Sequence, residues 1–123
     1  MKIFIFTDYF LPGCQAGGPV TSMANLVTLL EEEFNLVIIT RNKDLGIDEV
    51  YKDTKFDVLT KYKNFNIIYL SEVSKNSISK VIEKNKPDLI YLNSFFSLFT
   101  QFVLIHKLFS KSKLYHHKVT LTQ

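Results

Sequence analysis

The chain has 123 residues, 46% of them hydrophobic and 22% charged. That fits one ordinary globular domain and excludes both general disorder and two complete domains. Its net charge of +3 is too mild to argue for nucleic acid, and Arg41 is the only arginine among fifteen basic residues, so an arginine-rich nucleic-acid code is absent.

Lys2–Thr7 is aromatic and β-branched and reads as a buried first strand. Residues 8–18 form a loop punctuated by Pro12, Gly13, Gly17 and Gly18. Pro19 suits the first turn of a helix, where its missing N–H costs nothing. Val20, Met23, Val27, Leu30 and Phe34 then recur at helical spacing and predict a helix over residues 19–33, with Glu31, Glu32 and Glu33 opposing its dipole. Leu36–Thr40 is a second apolar strand, residues 41–65 carry only weak pattern and read as irregular, and Asn66–Leu70 is a third strand. Ser77 is the expected cap of a helix with Ile78, Val81 and Ile82 on one face, stopped by Pro87. Leu89–Leu92 is a fourth strand, Ser94 caps a helix from Phe95 to Ser110, and Lys118–Thr122 is expected to be a fifth strand. Near-continuous apolar strands alternating with helices imply a parallel sheet covered on both faces: an α/β, three-layer, Rossmann-like domain.

Ligands in such sheets sit beyond the carboxyl ends of the strands, so the loop after strand one is the place to look. The dinucleotide fingerprint G-x-G-x-x-G fails there, because Gln15 breaks it, and Arg41 stands where an acid should follow strand two. A Walker A loop fails as well, because Pro19 replaces its lysine. What remains is Gly17 and Gly18 at the start of a helix, a pair that serves equally as a structural turn or as an anion site. Asp8 and Tyr9 follow strand one, Arg41 and Asp44 follow strand two, and Asn93 follows strand four, all at the ligand end. Asp8 suits an acceptor hydroxyl or an Asx-type brace of the glycine loop, and Arg41 with Asp44 suits a surface ion pair or, through the planar arginine fork, an anion.

Whole segments are more specific than single residues. Met1 through Gly13, then Ala16-Gly17-Gly18-Pro19 and a helix containing Asn25-Leu26, resemble the start of the family 4 nucleotide-sugar glycosyltransferases, retaining enzymes of the GT-B architecture. The resemblance continues through residues 38–46 and 86–97 and covers about residues 1–110 in order. It implies one lobe of a two-lobed enzyme, the N-terminal one, which mainly takes the acceptor. It further implies that Gly17 and Gly18 approach the diphosphate of a nucleoside-diphosphate sugar, and that Asp8, Tyr9, Arg41, Asp44 and Asn93 line the acceptor cleft. The donor is then a substrate; no separate cofactor and no metal are expected. The family's second lobe, with its acidic E-x7-E-type motif, has no counterpart in this sequence. The expectation is therefore a lobe ending in or just after its fifth strand and inactive alone, whose complete enzyme transfers a sugar to a surface polysaccharide or lipid-linked glycan. Relatives carry a histidine near Asn93 that this sequence lacks, so no catalytic acid or base is assigned.

Two other readings stand beside this one. A non-catalytic Rossmann-like module could pair with a separate chain supplying the missing half. Alternatively, residues 95–118, rich in Phe and followed by lysines with no acid after Asp88, could rest on a membrane surface, in which case Phe96, Val103 and Leu104 lie off the packed stripe. Cys14 is the single cysteine, so no internal disulfide forms and a reducing compartment is expected. The opening apolar run is too short for a signal peptide, and a cytoplasmic location, free or at the inner face of the membrane, follows. His106, His116 and His117 have no metal-ligand spacing with Cys14.

Overall fold

The computed structural model describes residues 1–93, 97–107 and 113–116. Their elements, in chain order, are β1 (Lys2–Phe6), α1 (Gly18–Leu30), β2 (Asn35–Arg41), β3 (Leu59–Tyr62), β4 (Phe65–Leu70), α2 (Lys75–Asn85), β5 (Leu89–Leu92), α3 (Leu98–Lys107) and β6 (Lys113–His116). The six strands form one sheet in the order β3-β4-β2-β1-β5-β6. Every pairing is parallel except β3 with β4, which is antiparallel.

The strands are apolar throughout because both faces of the sheet are covered. Successive side chains of β1 alternate between faces. Phe4 and Phe6 join Val37, Ile39, Ile68 and Leu70 beneath α2 and α3, where Ile78, Val81, Ile82, Phe99 and Val103 close the layer. Ile3 and Ile5 join Leu36, Ile38 and Ile67 beneath Val20, Met23 and Val27 of α1. The architecture is thus three-layered α/β/α and Rossmann-like. The chain reverses its direction of travel across the sheet at β1, which has β2 on one side and β5 on the other. That reversal opens a crevice at the carboxyl ends of β1, β2 and β5.

Several expected boundaries move. The first helix ends at Leu30 rather than at residue 33; Glu31 is its C-cap, donating its N–H to the Val27 carbonyl, and Phe34 packs onto the core from the turn beyond. The cap of α2 is Ser74, not Ser77. Ser77 is the third helical residue, and the two serines close a reciprocal capping box: the Ser77 N–H donates to Ser74 Oγ and the Ser74 N–H to Ser77 Oγ, both over 3.1 Å. Lys86 adopts the left-handed conformation (φ 47°) at the C-terminal end, just before Pro87.

The third helix starts at Leu98 rather than at Phe95, because Ser97 Oγ accepts the Phe99 N–H over 3.0 Å and so occupies the N-cap position. The expected cap Ser94, and with it Phe96, lies outside the described residues. Val103 is buried rather than off the packed stripe, whereas Leu104 and Ile105 are exposed. The last strand occupies Lys113–His116, five residues before the place expected for it, and residues 117–123 lie outside the described residues. A short strand that the sequence pattern does not show, β3, flanks β4 inside the stretch read as irregular. Among the described residues, no helix is long and apolar enough to cross a membrane.

Candidate functional site

The segment after β1 is anchored from three directions. The Asp44 carboxylate accepts the backbone N–H groups of Cys14 (3.0 Å), Gln15 (3.2 Å) and Leu45 (2.7 Å). Tyr51 Oη donates to the Phe10 carbonyl over 3.2 Å, and Tyr69 Oη donates to the Leu11 carbonyl over 2.7 Å. The Tyr51 and Tyr69 rings meet edge-on, with centroids 5.4 Å apart. Burial, and after it the nearby Asp44 carboxylate, pushes the Tyr51 phenol up to about 12. Burial likewise raises Tyr69, and it carries Tyr91 up to about 12. All three phenols therefore stay protonated across the neutral range, and Tyr51 and Tyr69 keep their O–H donors.

Gly13 is the tight point of this anchorage. A methyl group built on it would lie 2.5 Å from Tyr51 Oη and 2.7 Å from Asp44 Cγ, so a larger residue there displaces at least one of these two side-chain anchors. The sequence offered Asp44 for the acceptor cleft or for a pair with Arg41. The geometry instead commits its carboxylate to backbone amides of this loop and its own turn.

The anchored loop delivers Gly17 and Gly18 to the start of α1. Gly17 is the N-cap with φ 69° and ψ −124°, a conformation that disfavours any side chain. Its N–H, expected to face a phosphate, donates instead to the Cys14 carbonyl over 3.0 Å. The Gly17 carbonyl takes the N–H of Val20 (3.1 Å) and of Thr21 (3.3 Å), and Pro19 has none. In this first turn only the Gly18 N–H is left without an acceptor among the described residues, and no side chain caps it. The expected pair of backbone donors thus reduces to one. Gly18 also precedes Pro19 within a helix, a place where a Cβ is disfavoured.

The switch-point crevice gathers Asp8, Tyr9, Arg41 and Asn93. Asn93 ties β5 to β1: its N–H donates to the Phe6 carbonyl over 3.1 Å and its Nδ2 to Thr7 Oγ1 over 3.3 Å. Asp8 does not brace the glycine loop. Its Oδ1 accepts from Ser97 Oγ over 2.7 Å, which joins β1 to the cap of α3, and stands 3.9 Å from Arg41 Nη2. The Arg41 guanidinium carbon lies over two rings, 5.7 Å from the Tyr9 centroid and 5.6 Å from the Phe99 centroid. Its Nε is buried and has no hydrogen-bond partner among the described residues. A buried N–H left unpaired costs roughly 1–3 kcal/mol.

Ser97 and Phe99 are the crevice residues that sequence reasoning missed. Both lie far along the chain from Asp8 and Arg41, and their signal, a serine two residues before a phenylalanine, is common to many helix starts. A separate cleft of about 340 Å³ opens at the end of β4, between Asp57, Ser71 and Glu72 on one side and Asn76, Ser77, Lys80 and Lys84 of α2 on the other. It holds none of the residues singled out for the crevice. Among the described residues, no group of histidine, cysteine, aspartate or glutamate could hold a metal ion.

No protein-family model matches the chain, and no curated protein matches it. Among solved structures, the crystal structure of RSP, a Rex-family repressor, is similar with a TM-score of 0.47 and 13% identity, over 98% of this chain and 54% of that one. The chain thus spans about half the length of that structure. Similarity at this level carries no inference about ligand or activity, and the fold assignment rests on the strand order and the two covered faces.

Proposed function

We propose that the chain is the N-terminal, acceptor-side lobe of a retaining glycosyltransferase of the two-lobed GT-B architecture. The complete enzyme transfers a sugar from a nucleoside-diphosphate donor to a surface polysaccharide or lipid-linked glycan. The ordered resemblance of residues 1–110 motivates the reading. The observation that carries it is the uncovered N-terminus of α1: a loop fixed by Asp44, Tyr51 and Tyr69 holds the unpaired Gly18 N–H at the carboxyl end of the sheet. A helix start with a free N–H favours negative charge, and in the complete enzyme that charge develops on the departing diphosphate.

Amide NMR on the 123-residue chain, titrated with uridine, adenosine and guanosine diphosphates, tests the reading. The expected result is a weak, saturable shift of the Gly18 amide with at least one diphosphate and none with the parent nucleosides. A Gly18 amide indifferent to all three diphosphates overturns the diphosphate role.

A further inference from the structure

We infer that Arg41 reads an oxyanion on a sugar ligand, a phosphate or a carboxylate, while Asp8 takes a neighbouring hydroxyl of the same molecule. The inference deepens the acceptor-side reading by giving the acceptor a charge. It rests on that reading only for the statement that the ligand is a sugar.

Arg41 is underused where it stands. A guanidinium has five N–H donors in a rigid planar fork. Among the described residues its one charged neighbour is Asp8, at 3.9 Å, beyond hydrogen-bond reach. That nearer carboxylate oxygen already accepts from Ser97 at 2.7 Å. The Tyr9 and Phe99 rings lie against the guanidinium, 5.7 and 5.6 Å from its carbon. Contacts of that kind hold a guanidinium by its faces and leave its edge for in-plane acceptors. Nε is buried and unpaired, and the two Nη groups form the accessible edge of the fork, where an oxyanion can supply an acceptor that folding does not.

Placement agrees with this chemistry. Arg41 ends β2 and Asp8 follows β1, so both stand at the crevice where open α/β sheets bind ligands. The side chains remain accessible, Arg41 at 24% and Asp8 at 33% of full exposure, while Asn93 and Ser97 fix the strand end and helix cap around them. Asp8 Oδ2 has no hydrogen-bond partner among the described residues and is the acceptor for a sugar hydroxyl beside the bound oxyanion. The pairing favours an anionic sugar over a neutral one, whose hydroxyls accept from the guanidinium without bringing a charge, and disfavours a bare dianion, which Asp8 repels.

Because Arg41 is the chain's only arginine, its Nε–Hε group gives a single NMR cross-peak that reports the site directly. Glucose 1-phosphate, glucuronate and glucose are titrated into the full chain at constant ionic strength. The expected result is a saturable downfield shift of that peak with glucose 1-phosphate or glucuronate and no shift with glucose; whichever anion binds more tightly identifies the source of the charge. Arg41→Lys, which keeps the charge and removes the fork, is expected to weaken binding at least about tenfold, followed on the backbone amides of Asp8 and Asn93. A cross-peak that ignores both anionic sugars, or that moves equally with glucose, overturns the inference, and this wild-type result does not depend on any variant folding. The two readings fail separately. A silent Arg41 with a responsive Gly18 removes the charged acceptor and keeps the diphosphate role, whereas the reverse keeps the oxyanion site and removes the diphosphate role.

Discussion

Two clusters at the same end of the sheet are built on opposite principles. Around the loop after β1, polar groups find one another: Asp44 accepts three backbone N–H groups, and two phenols donate to two carbonyls. Around Arg41, donors outnumber acceptors, and the charge is cradled by aromatic rings rather than neutralised at contact distance. A satisfied cluster supports stability and should break visibly when disturbed. An unsatisfied cluster contributes little to folding and should matter when a ligand is present. On the proposed reading, the difference separates scaffold from recognition surface.

High pH should break the satisfied side most severely. Folding raises Tyr51 and Tyr91 from 10 to about 12 and raises Tyr69 as well. Between pH 10 and 12 the unfolded chain therefore binds fewer protons than the folded one, so stability falls as pH rises through that window, while below it the contribution is fully present. A tenfold change in proton affinity corresponds to about 1.4 kcal/mol; with partial solvent screening, Tyr51 and Tyr91 should each cost about 1–2 kcal/mol by the top of the window. Circular dichroism followed against pH should show cooperative unfolding there, with tyrosinate absorbance appearing in the same transition. Smooth, early ionisation of all six tyrosines, without unfolding, would contradict the anchoring role given to Tyr51 and Tyr69.

Gly13→Ala should come next. The new methyl group would meet Tyr51 Oη at 2.5 Å and Asp44 Cγ at 2.7 Å, so at least one anchor must withdraw. Overpacking of this kind costs about 1–3 kcal/mol. Because the atoms that must move are the ends of the Tyr51 and Asp44 side chains, urea denaturation should place the variant at the low end of that range, about 1 kcal/mol below the wild type, with an unchanged dependence on urea. A change under about 0.5 kcal/mol would mean that the loop adapts freely and that its hydrogen bonds do not fix Gly18 in place.

The contrast between the clusters is only half visible in the sequence. Strands β1, β2 and β5 are legible because each is apolar on both faces, and that locates Asp8, Tyr9, Arg41 and Asn93 at strand ends. The strand β3 is not legible: Leu59-Thr60-Lys61-Tyr62 is a short, half-exposed segment whose pairing with β4, not its own pattern, makes it a strand. Ser74 does not stand out as a cap because Ser77 stands three residues on with the same chemistry, and the reciprocal bond between them exists only in three dimensions. The Gly17 and Gly18 pair is legible as a helix start. That the Gly17 N–H turns back to Cys14 is a property of loop geometry no spacing rule contains. The same limit hides Ser97 and Phe99, which reach Asp8 and Arg41 from the opposite half of the chain.

The smallest expected effect sharpens the comparison most. Arg41→Gln removes the cation, its ion pair with Asp8 at 3.9 Å and its contacts with the Tyr9 and Phe99 rings. A partly exposed pair at that distance is worth about 0–1 kcal/mol, and each exposed cation–ring contact about 0.5–1 kcal/mol. Against these losses stands the relief of a buried Nε–H that has no acceptor, worth roughly 1–3 kcal/mol. The terms oppose one another, so urea denaturation should find the variant within about 0.5 kcal/mol of the wild type, either way. A destabilisation above about 2 kcal/mol would put Arg41 in the same class as Asp44, a clamp satisfied by folding itself. A near-zero change, with Gly13→Ala clearly destabilised in the same assay, is what the proposed ligand-reading role requires of an arginine set against the Tyr9 and Phe99 rings.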